Sequence, residues 1–161
     1  MRSIFPKNPL LLFIMVAFIA TLLPGAARPQ FMTVYPVVER EVRHQKGTLS
    51  LNVFKVDNFS GSSQHWRMLE QQLKPLRETD TDLLLVFYYR SEAMLPDYQR
   101  YIDEFQGKEK ILRQDIEPLI EQIDDKCVLF YYCMGKKGAF LQNPVTKKAE
   151  LEQLLKLLDR Q

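Results

Sequence analysis

The hydrophobic positions of this chain follow two spacings, which together predict an α/β domain. Six segments have apolar residues at every second position or in unbroken runs, the spacing of β-strands. They are residues 37–42, 48–56, 83–89, 110–114, 126–134 and 139–142. Between the strands, apolar residues recur every three or four positions, as on the buried face of a helix. The four predicted helices carry Leu69 and Leu73, Tyr98 and Ile102, Leu119 and Ile123, and Leu151 and Leu155.

Turn signals between these segments predict how the strands connect. Gln45-Lys46-Gly47 and Gly135-Lys136-Lys137-Gly138 each separate two neighbouring strands, which predicts a β-hairpin at either end of the domain. A helix between two strands predicts a parallel crossover, and a hairpin predicts an antiparallel pair. We therefore expect a three-layer α/β sandwich with a mixed central sheet and an N-terminal β-hairpin extension.

Residues 1–27 have the composition of a cleavable signal peptide. Arg2 and Lys7 give a positive start, and the apolar run 10–23 is shorter than the roughly 20 residues that span a bilayer as a helix. Small residues follow at 25–27, where a signal peptidase would cleave. We expect a secreted, extracellular protein without a membrane span after processing. The ER lumen, or the periplasm in a bacterium, stays open as the alternative location.

Residues 28–161 are predicted to form one domain, with the hairpin and its loop in 28–62 and the core in 63–161. The whole chain has 22 Lys and Arg against 20 Asp and Glu, and both excess cations, Arg2 and Lys7, lie in the signal peptide. The remaining domain is formally neutral, so it has no overall attraction for nucleic acid. We expect a protein partner instead.

The polar segment Asp57–Ser63 predicts a surface loop that contains the N-glycosylation sequon Asn58-Phe59-Ser60. In a eukaryotic secretory pathway we expect a glycan on Asn58, which would make the protein a glycoprotein. In a bacterial periplasm the motif would have no such meaning.

The two cysteines, Cys127 and Cys133, are predicted to lie in one strand and not to bridge each other. Six residues of extended chain would place them on the same face about 20 Å apart. A disulfide needs Cα atoms within about 7 Å. Two buried thiols are the first interpretation, and a homodimer linked through Cys133 is the alternative.

The apolar strand ending Phe87-Tyr88-Tyr89 runs through a turn into a helix ending Asp103-Glu104-Phe105. This pattern and the order of the elements in residues 63–161 resemble the thioredoxin-like superfamily, in which the turn holds a C-x-x-C motif. The tail, with its Gly-Lys-Lys-Gly turn and Leu-rich helix, also resembles the small secreted thioredoxin-like domain of sushi-repeat matrix proteins. The resemblance implies a thioredoxin-like fold with its functional site at the turn after this strand.

The residues that carry thioredoxin chemistry are missing from this chain. In an ungapped alignment from Phe87 to Glu104, the two redox cysteines fall on Glu92 and Leu95, and Asp125-Lys126 stands where the family has its cis-proline. Thiol exchange needs an exposed thiolate of low pKa, usually at a helix N-terminus. We therefore expect a redox-inactive member of the superfamily.

The candidate binding residues are Arg90, Ser91, Glu92 and Tyr101. The first three occupy the turn where the superfamily does its chemistry, and the plainer interpretation is a polar turn that caps the next helix. Tyr101 lies off the apolar stripe of that helix, which predicts an exposed ring able to reach a partner.

The sequence predicts no metal site, no cofactor and no catalytic residues. Its two histidines, His44 and His65, have no cysteine or acidic cluster beside them. No G-x-S-x-G elbow, phosphate loop or calcium loop occurs. We expect a non-catalytic domain that acts through protein–protein binding, as an extracellular factor or an ER binding module. The alternatives are an enzyme with a dispersed, non-thiol active site and a thiol-linked homodimeric matrix component.

Overall fold

A computed structural model describes residues 31–160, where five strands and four α-helices follow each other. The predicted signal peptide, residues 1–27, lies outside the described residues. The strands are β1 (Thr33–His44), β2 (Gly47–Asp57), β3 (Leu83–Arg90), β4 (Cys127–Met134) and β5 (Lys137–Gln142). The helices are α1 (Ser63–Arg77), α2 (Tyr98–Phe105), α3 (Arg113–Glu121) and α4 (Lys148–Leu158), with a 3-10 turn at Pro144–Thr146 before α4. Within residues 31–160, every helix is too short or too polar to cross a membrane.

The strands form one mixed sheet in the order β1–β2–β3–β4–β5, which confirms the predicted α/β class. Strands β2 and β3 are parallel and are joined by the crossover helix α1, while the other neighbouring pairs are antiparallel. Both predicted hairpins are present. The N-terminal hairpin is less separate than expected, because its second strand pairs with β3 inside the sheet.

The expectation of a parallel crossover is wrong for β3 and β4, which run antiparallel. The chain leaves β3 at Arg90 and runs back to the other end of the strands. There the carbonyl groups of Lys108 and Glu109 accept hydrogen bonds from the β1–β2 turn. It then returns through α3 to the end of the strands at which β3 finished, where Tyr89 is paired with Cys127. Two helices thus cancel each other's displacement, and the next strand reverses direction.

The predicted strand at residues 110–114 does not form. The chain enters α3 at Arg113, and the carboxylate of Asp115 accepts a hydrogen bond from the Leu112 N–H at 2.8 Å. An acidic residue at the third helical position satisfies an N–H group that has no partner within the helix. The same buried carboxylate is paired with Lys108. Pro118 lies inside this helix.

Both faces of the sheet are buried, which explains the unbroken apolar runs of β3 and β4. Helix α1 covers one face, where Leu84, Val86 and Tyr88 pack against Leu69 and Leu73. Helices α2, α3 and α4 cover the other. A strand buried on both sides needs apolar residues at every position.

A bulge in β4 places the two cysteines on opposite faces of the sheet. The pairing register shifts between Tyr88 and Tyr89, and the consecutive residues Val128 and Leu129 both face α1. One extra residue in a strand reverses the alternation of side chains beyond it. Cys127 therefore lies in the core under α2–α4, and Cys133 packs against the α1 face. The prediction of one shared face is wrong, although both thiols are free as expected.

Candidate functional site

The turn between β3 and α2, residues 91–97, is held to β2 by a lysine. Lys55 donates hydrogen bonds from Nζ to the carbonyl oxygens of Ser91 and Ala93, each at 2.9 Å. The Ser91 N–H donates to the Val56 carbonyl at 3.0 Å, and the Ala93 N–H donates to that of Arg90 at 2.9 Å. A charged donor makes stronger hydrogen bonds than a neutral one. The first half of the turn therefore has a defined backbone.

Arg90 lies in the predicted site, and its guanidinium group is used within the protein. Its Nη1 donates to the carbonyl oxygen of Phe59 at 3.2 Å, and its guanidinium carbon lies 5.6 Å from the centre of the Phe59 ring. The backbone N–H of Arg90 donates to the Lys126 carbonyl at 2.9 Å. Arg90 thus joins the end of β3 to the loop after β2 and to the start of β4.

Glu92 is exposed on the same turn, and Ser91 is half-buried beside it. The Ser91 hydroxyl lies 3.5 Å from a carboxylate oxygen of Glu92, a distance at the limit of a hydrogen bond. The structure thus brings Arg90, Ser91 and Glu92 together, but only Glu92 is free to meet a ligand with most of its side chain.

Met94 is the residue of this site that the sequence interpretation missed. Its side chain is 93% exposed, the highest exposure of any large hydrophobic residue described. Single exposed apolar residues are common, but an exposed thioether on a fixed turn is an adaptable contact for a partner. The signal in the sequence is a methionine between the polar residues 90–92 and Pro96, ahead of the apolar stripe of α2.

Tyr101 is half-buried, so the prediction of an exposed ring is wrong. Its ring packs against the core under α2–α4 with its centre 6.4 Å from that of Phe105. Its hydroxyl is hydrogen-bonded to the side-chain amide of Gln122, just after α3. The end of α3 covers a position that looks exposed when α2 is considered alone. Tyr101 therefore belongs to the contact between α2 and α3, not to the turn.

The sequon lies in the neighbouring loop between β2 and α1. Asn58 is exposed in a left-handed conformation with φ of 56°, and its side-chain amide donates to the Phe31 carbonyl at 3.2 Å. Phe59 is buried edge-on against Trp66, with ring centres 4.7 Å apart. The Ser60 N–H donates to Nδ1 of His65 at 3.0 Å. The buried Phe59 ring therefore anchors the loop, while Asn58 is exposed.

A buried cluster of two tyrosines and a cysteine lies beneath the turn. The Tyr98 hydroxyl donates to that of Tyr89 at 3.2 Å, and Cys127 Sγ donates to the Leu129 carbonyl at 3.4 Å. Burial raises the pKa of all three groups. A neutral, enclosed thiol is a poor nucleophile, so Cys127 is not suited to exchange chemistry.

Two concavities elsewhere offer little for catalysis. A groove of about 450 Å³ between α3 and α4 has an apolar floor that includes Ile120 and Leu151. A smaller cleft of about 190 Å³ contains His44 and Asp82, but that carboxylate already accepts the Thr48 N–H at 2.7 Å. Within residues 31–160 there is no group of three or more His, Cys, Asp or Glu side chains that could hold a metal ion.

No protein-family model, curated protein or solved structure matches this chain. The α/β fold therefore stands on the sheet and helices themselves.

Proposed function

We propose that this chain is a secreted, non-catalytic domain of the thioredoxin-like superfamily that binds another protein through the turn after β3. The observation that carries the proposal is Met94, which is 93% exposed on a turn whose preceding residues are held by Lys55. A contact residue on a backbone that is already ordered loses less conformational entropy on binding. Glu92 beside it supplies a charge that can select the partner.

The position of the turn supports both the fold assignment and the site. Strands β2 and β3 are the parallel pair of the sheet, and the turn lies at their carboxyl ends. Ligands of open α/β sheets bind outside the carboxyl ends of the strands. The resemblance to thioredoxins points to the same turn, with Glu92 where the family has its first redox cysteine.

The proposal of a non-catalytic role is supported by the groups at this turn. Arg90 is engaged with Phe59, and the nearest thiol, Cys127, is enclosed in the core with a raised pKa. The Ser91 hydroxyl lies 3.5 Å from the Glu92 carboxylate, which is longer than the roughly 2.6–3.2 Å at which a base activates a nucleophile. Binding is the activity for which the exposed groups are suited.

The test uses a photo-reactive diazirine amino acid placed at position 94 of the secreted full-length chain, with position 68 as the matched control. Met68 is an exposed methionine on α1, away from the turn. We expect a discrete cross-linked partner from position 94 only. Binding of that purified partner should weaken at least about tenfold with Met94→Asp and stay unchanged with Met68→Asp. Identical products from both positions, or equal affinities of both variants, would contradict the proposal.

Secretion is tested separately by sequencing the N-terminus of material collected from the medium. We expect a start at or near Arg28. Recovery of a chain that still begins at Met1 in membranes would refute processing without affecting the binding test.

A further inference from the structure

A basic concavity lies at the end of the strands opposite the turn after β3. It has a volume of about 460 Å³ and lies between the β4–β5 turn and the last turn of α4. We call it the basic pocket. Its charged lining residues are Lys136, Lys137, Lys156 and Arg160, and Tyr132 and Gln153 contribute to its wall.

The four cations of the basic pocket are exposed, and none of them is in an ion pair with a described residue. Other cations of the chain do have acidic partners. Arg113 contacts Glu117, Glu152 and Asp159, and Lys108 contacts Asp115. No carboxylate lines the basic pocket. The domain is formally neutral, so this positive charge is local and has not simply followed from a basic composition.

One part of this charge has a structural explanation. Lys156 lies in the last turn of α4, where a cation is stabilised by the negative end of the helix dipole. The helix end is equivalent to roughly half an elementary charge, and the two lysines of the β4–β5 turn belong to another element. Glu150 is the acidic group near the pocket. Burial raises the pKa of Tyr132, and the negative charge of Glu150 raises that pKa further. The Glu150 carboxylate is itself paired with Lys147 at 3.9 Å. Neither influence neutralises four cations, so the lining of the pocket keeps a net positive charge.

The β4–β5 turn has a backbone that fixes where its lysines lie. Gly135 has φ of 57°, a conformation that L side chains rarely adopt. A Cβ atom at Gly138 would lie 2.6 Å from the carbonyl oxygen of Tyr132, so this position requires glycine at the close approach of β5 to β4. Lys136 and Lys137 lie between these glycines and are presented by a defined turn toward the end of α4.

We propose that the basic pocket binds a sulfated polysaccharide chain of the heparin type. Several flexible lysines in an open concavity suit sulfate groups at variable spacing, because the lysine ammonium is a point charge with three donors. The Tyr132 and Gln153 side chains add polar groups that can meet sugar hydroxyls. The wall offers no exposed aromatic or apolar anchor of the kind that dominates protein interfaces. The choice of an extracellular glycan rests on the proposed secretion, while the site itself is independent of the turn after β3.

The test is calorimetric titration of the secreted chain with a size-fractionated heparin oligosaccharide. We expect binding at about 0.05 M salt that weakens steeply at about 0.3 M, since bound counterions are released from a polyanion. The double variant Lys137→Gln/Lys156→Gln should bind about tenfold more weakly. The matched control Arg67→Gln/Lys74→Gln removes the same charge from the exposed face of α1 and should stay within about twofold of the parent. All four positions are exposed and only Lys156 loses a helix-dipole interaction, so both variants should unfold within about 3 °C of the parent.

Several results would overturn the proposal. Equal losses in the two double variants would mean that heparin responds to net charge and not to this pocket. Equal binding of polyglutamate would indicate an acidic protein partner, and equal competition by inorganic sulfate would indicate a site for a single anion. Unchanged affinity for fully desulfated heparin, or no binding by the parent chain, would also refute it. None of these outcomes affects cross-linking at position 94, so this proposal and the protein-binding site fail separately.

Discussion

The ammonium group of Lys55 lies 2.9 Å from the carbonyl oxygen of Ser91, so the end of β2 holds the turn that follows β3. Lys55 is half-buried and makes a second bond to the Ala93 carbonyl. The candidate binding turn therefore depends on a residue outside it, 36 positions earlier in the chain.

Replacing Lys55 with methionine should release this turn without unfolding the domain. We expect a loss of about 1–2 kcal/mol in the free energy of unfolding, because both hydrogen bonds come from a charged donor. Hydrogen exchange should accelerate at the amides of Ser91 and Ala93. Lys74→Met, on the exposed face of α1, is the control and should change neither quantity. Unchanged exchange at the turn in Lys55→Met would show that Lys55 does not hold it.

The two thiols should differ in their reaction with iodoacetamide in the folded protein. Cys127 is 1% exposed and its pKa is raised by burial, so its alkylation should require unfolding. Cys133 is half-buried near the β4–β5 turn, with Sγ donating to the Gly135 carbonyl at 3.4 Å, and should react first. Tandem mass spectrometry of the alkylated peptides can assign the label to Cys127 or to Cys133. Equal rates in native buffer would contradict this order. Any disulfide-linked dimer should disappear in Cys133→Ser and persist in Cys127→Ser.

The domain should lose stability as the pH rises through the alkaline range. Burial raises the pKa of Tyr88, Tyr89, Tyr98 and Cys127 in the folded protein, whereas in the unfolded chain they titrate near 10.0 for tyrosine and 9.0 for cysteine. The unfolded state therefore binds fewer protons above pH 9, and the free energy of unfolding falls from there upward. Urea titrations at pH 8 and at successive steps above pH 9 should show the decline. A flat profile across that interval would refute the proposed burial of these groups.

Tyr88→Phe should stabilise the domain. The Tyr88 hydroxyl is buried and has no hydrogen-bond partner among the described residues, while its ring stacks on Phe54 at 4.9 Å. Removing an unsatisfied buried hydroxyl should raise the free energy of unfolding by about 1 kcal/mol. Tyr98→Phe is the matched control, because it removes a hydroxyl that bonds to Tyr89 and should destabilise. Thermal unfolding at neutral pH distinguishes the two, and a destabilised Tyr88→Phe variant would indicate a hidden partner.

If the chain is made in a eukaryotic secretory pathway, Asn58 should carry one glycan. The asparagine is exposed in its loop, although its amide donates to the Phe31 carbonyl and must be released for transfer. Glycosidase treatment should shift the gel band once, and Asn58→Gln should remove that shift. Asn143→Gln is the control, since that exposed asparagine precedes a proline and forms no sequon. An unshifted parent band would mean that the loop folds before the transferase reaches it.

The sequence predicted where the two central strands lie, because β3 and β4 are buried on both faces and have unbroken apolar runs. The unbroken apolar run in β3 indicated a buried strand, and the glycines of the β4–β5 turn indicated a hairpin. Residues 110–114 were misassigned because an apolar pair around Ile111 resembles a short strand, whereas Asp115 determines that a helix begins there.

The sequence predicted the position of the turn after β3, but not the contacts of its side chains. Order along the chain located the turn at Arg90–Glu92, but it could not show that Arg90 would be engaged with Phe59, 31 positions away. The burial of Tyr101 could be predicted only with the position of the end of α3, which contacts its hydroxyl through Gln122. The faces of the two cysteines required knowledge of the bulge at Val128 and Leu129, which no residue type in that run announces. Each error concerns a contact between elements that are distant in sequence.

The position of β3 between the two hairpins has a consequence for the order of folding. The β1–β2 and β4–β5 pairs close through short turns and can form within about 10 μs, whereas β3 must close long loops to pair with β2 and with β4. We therefore expect the pairing of β3 with the two hairpins to form the rate-limiting barrier. In stopped-flow measurements, Leu85→Ala should slow refolding more than it accelerates unfolding, while Leu158→Ala in α4 should mainly accelerate unfolding.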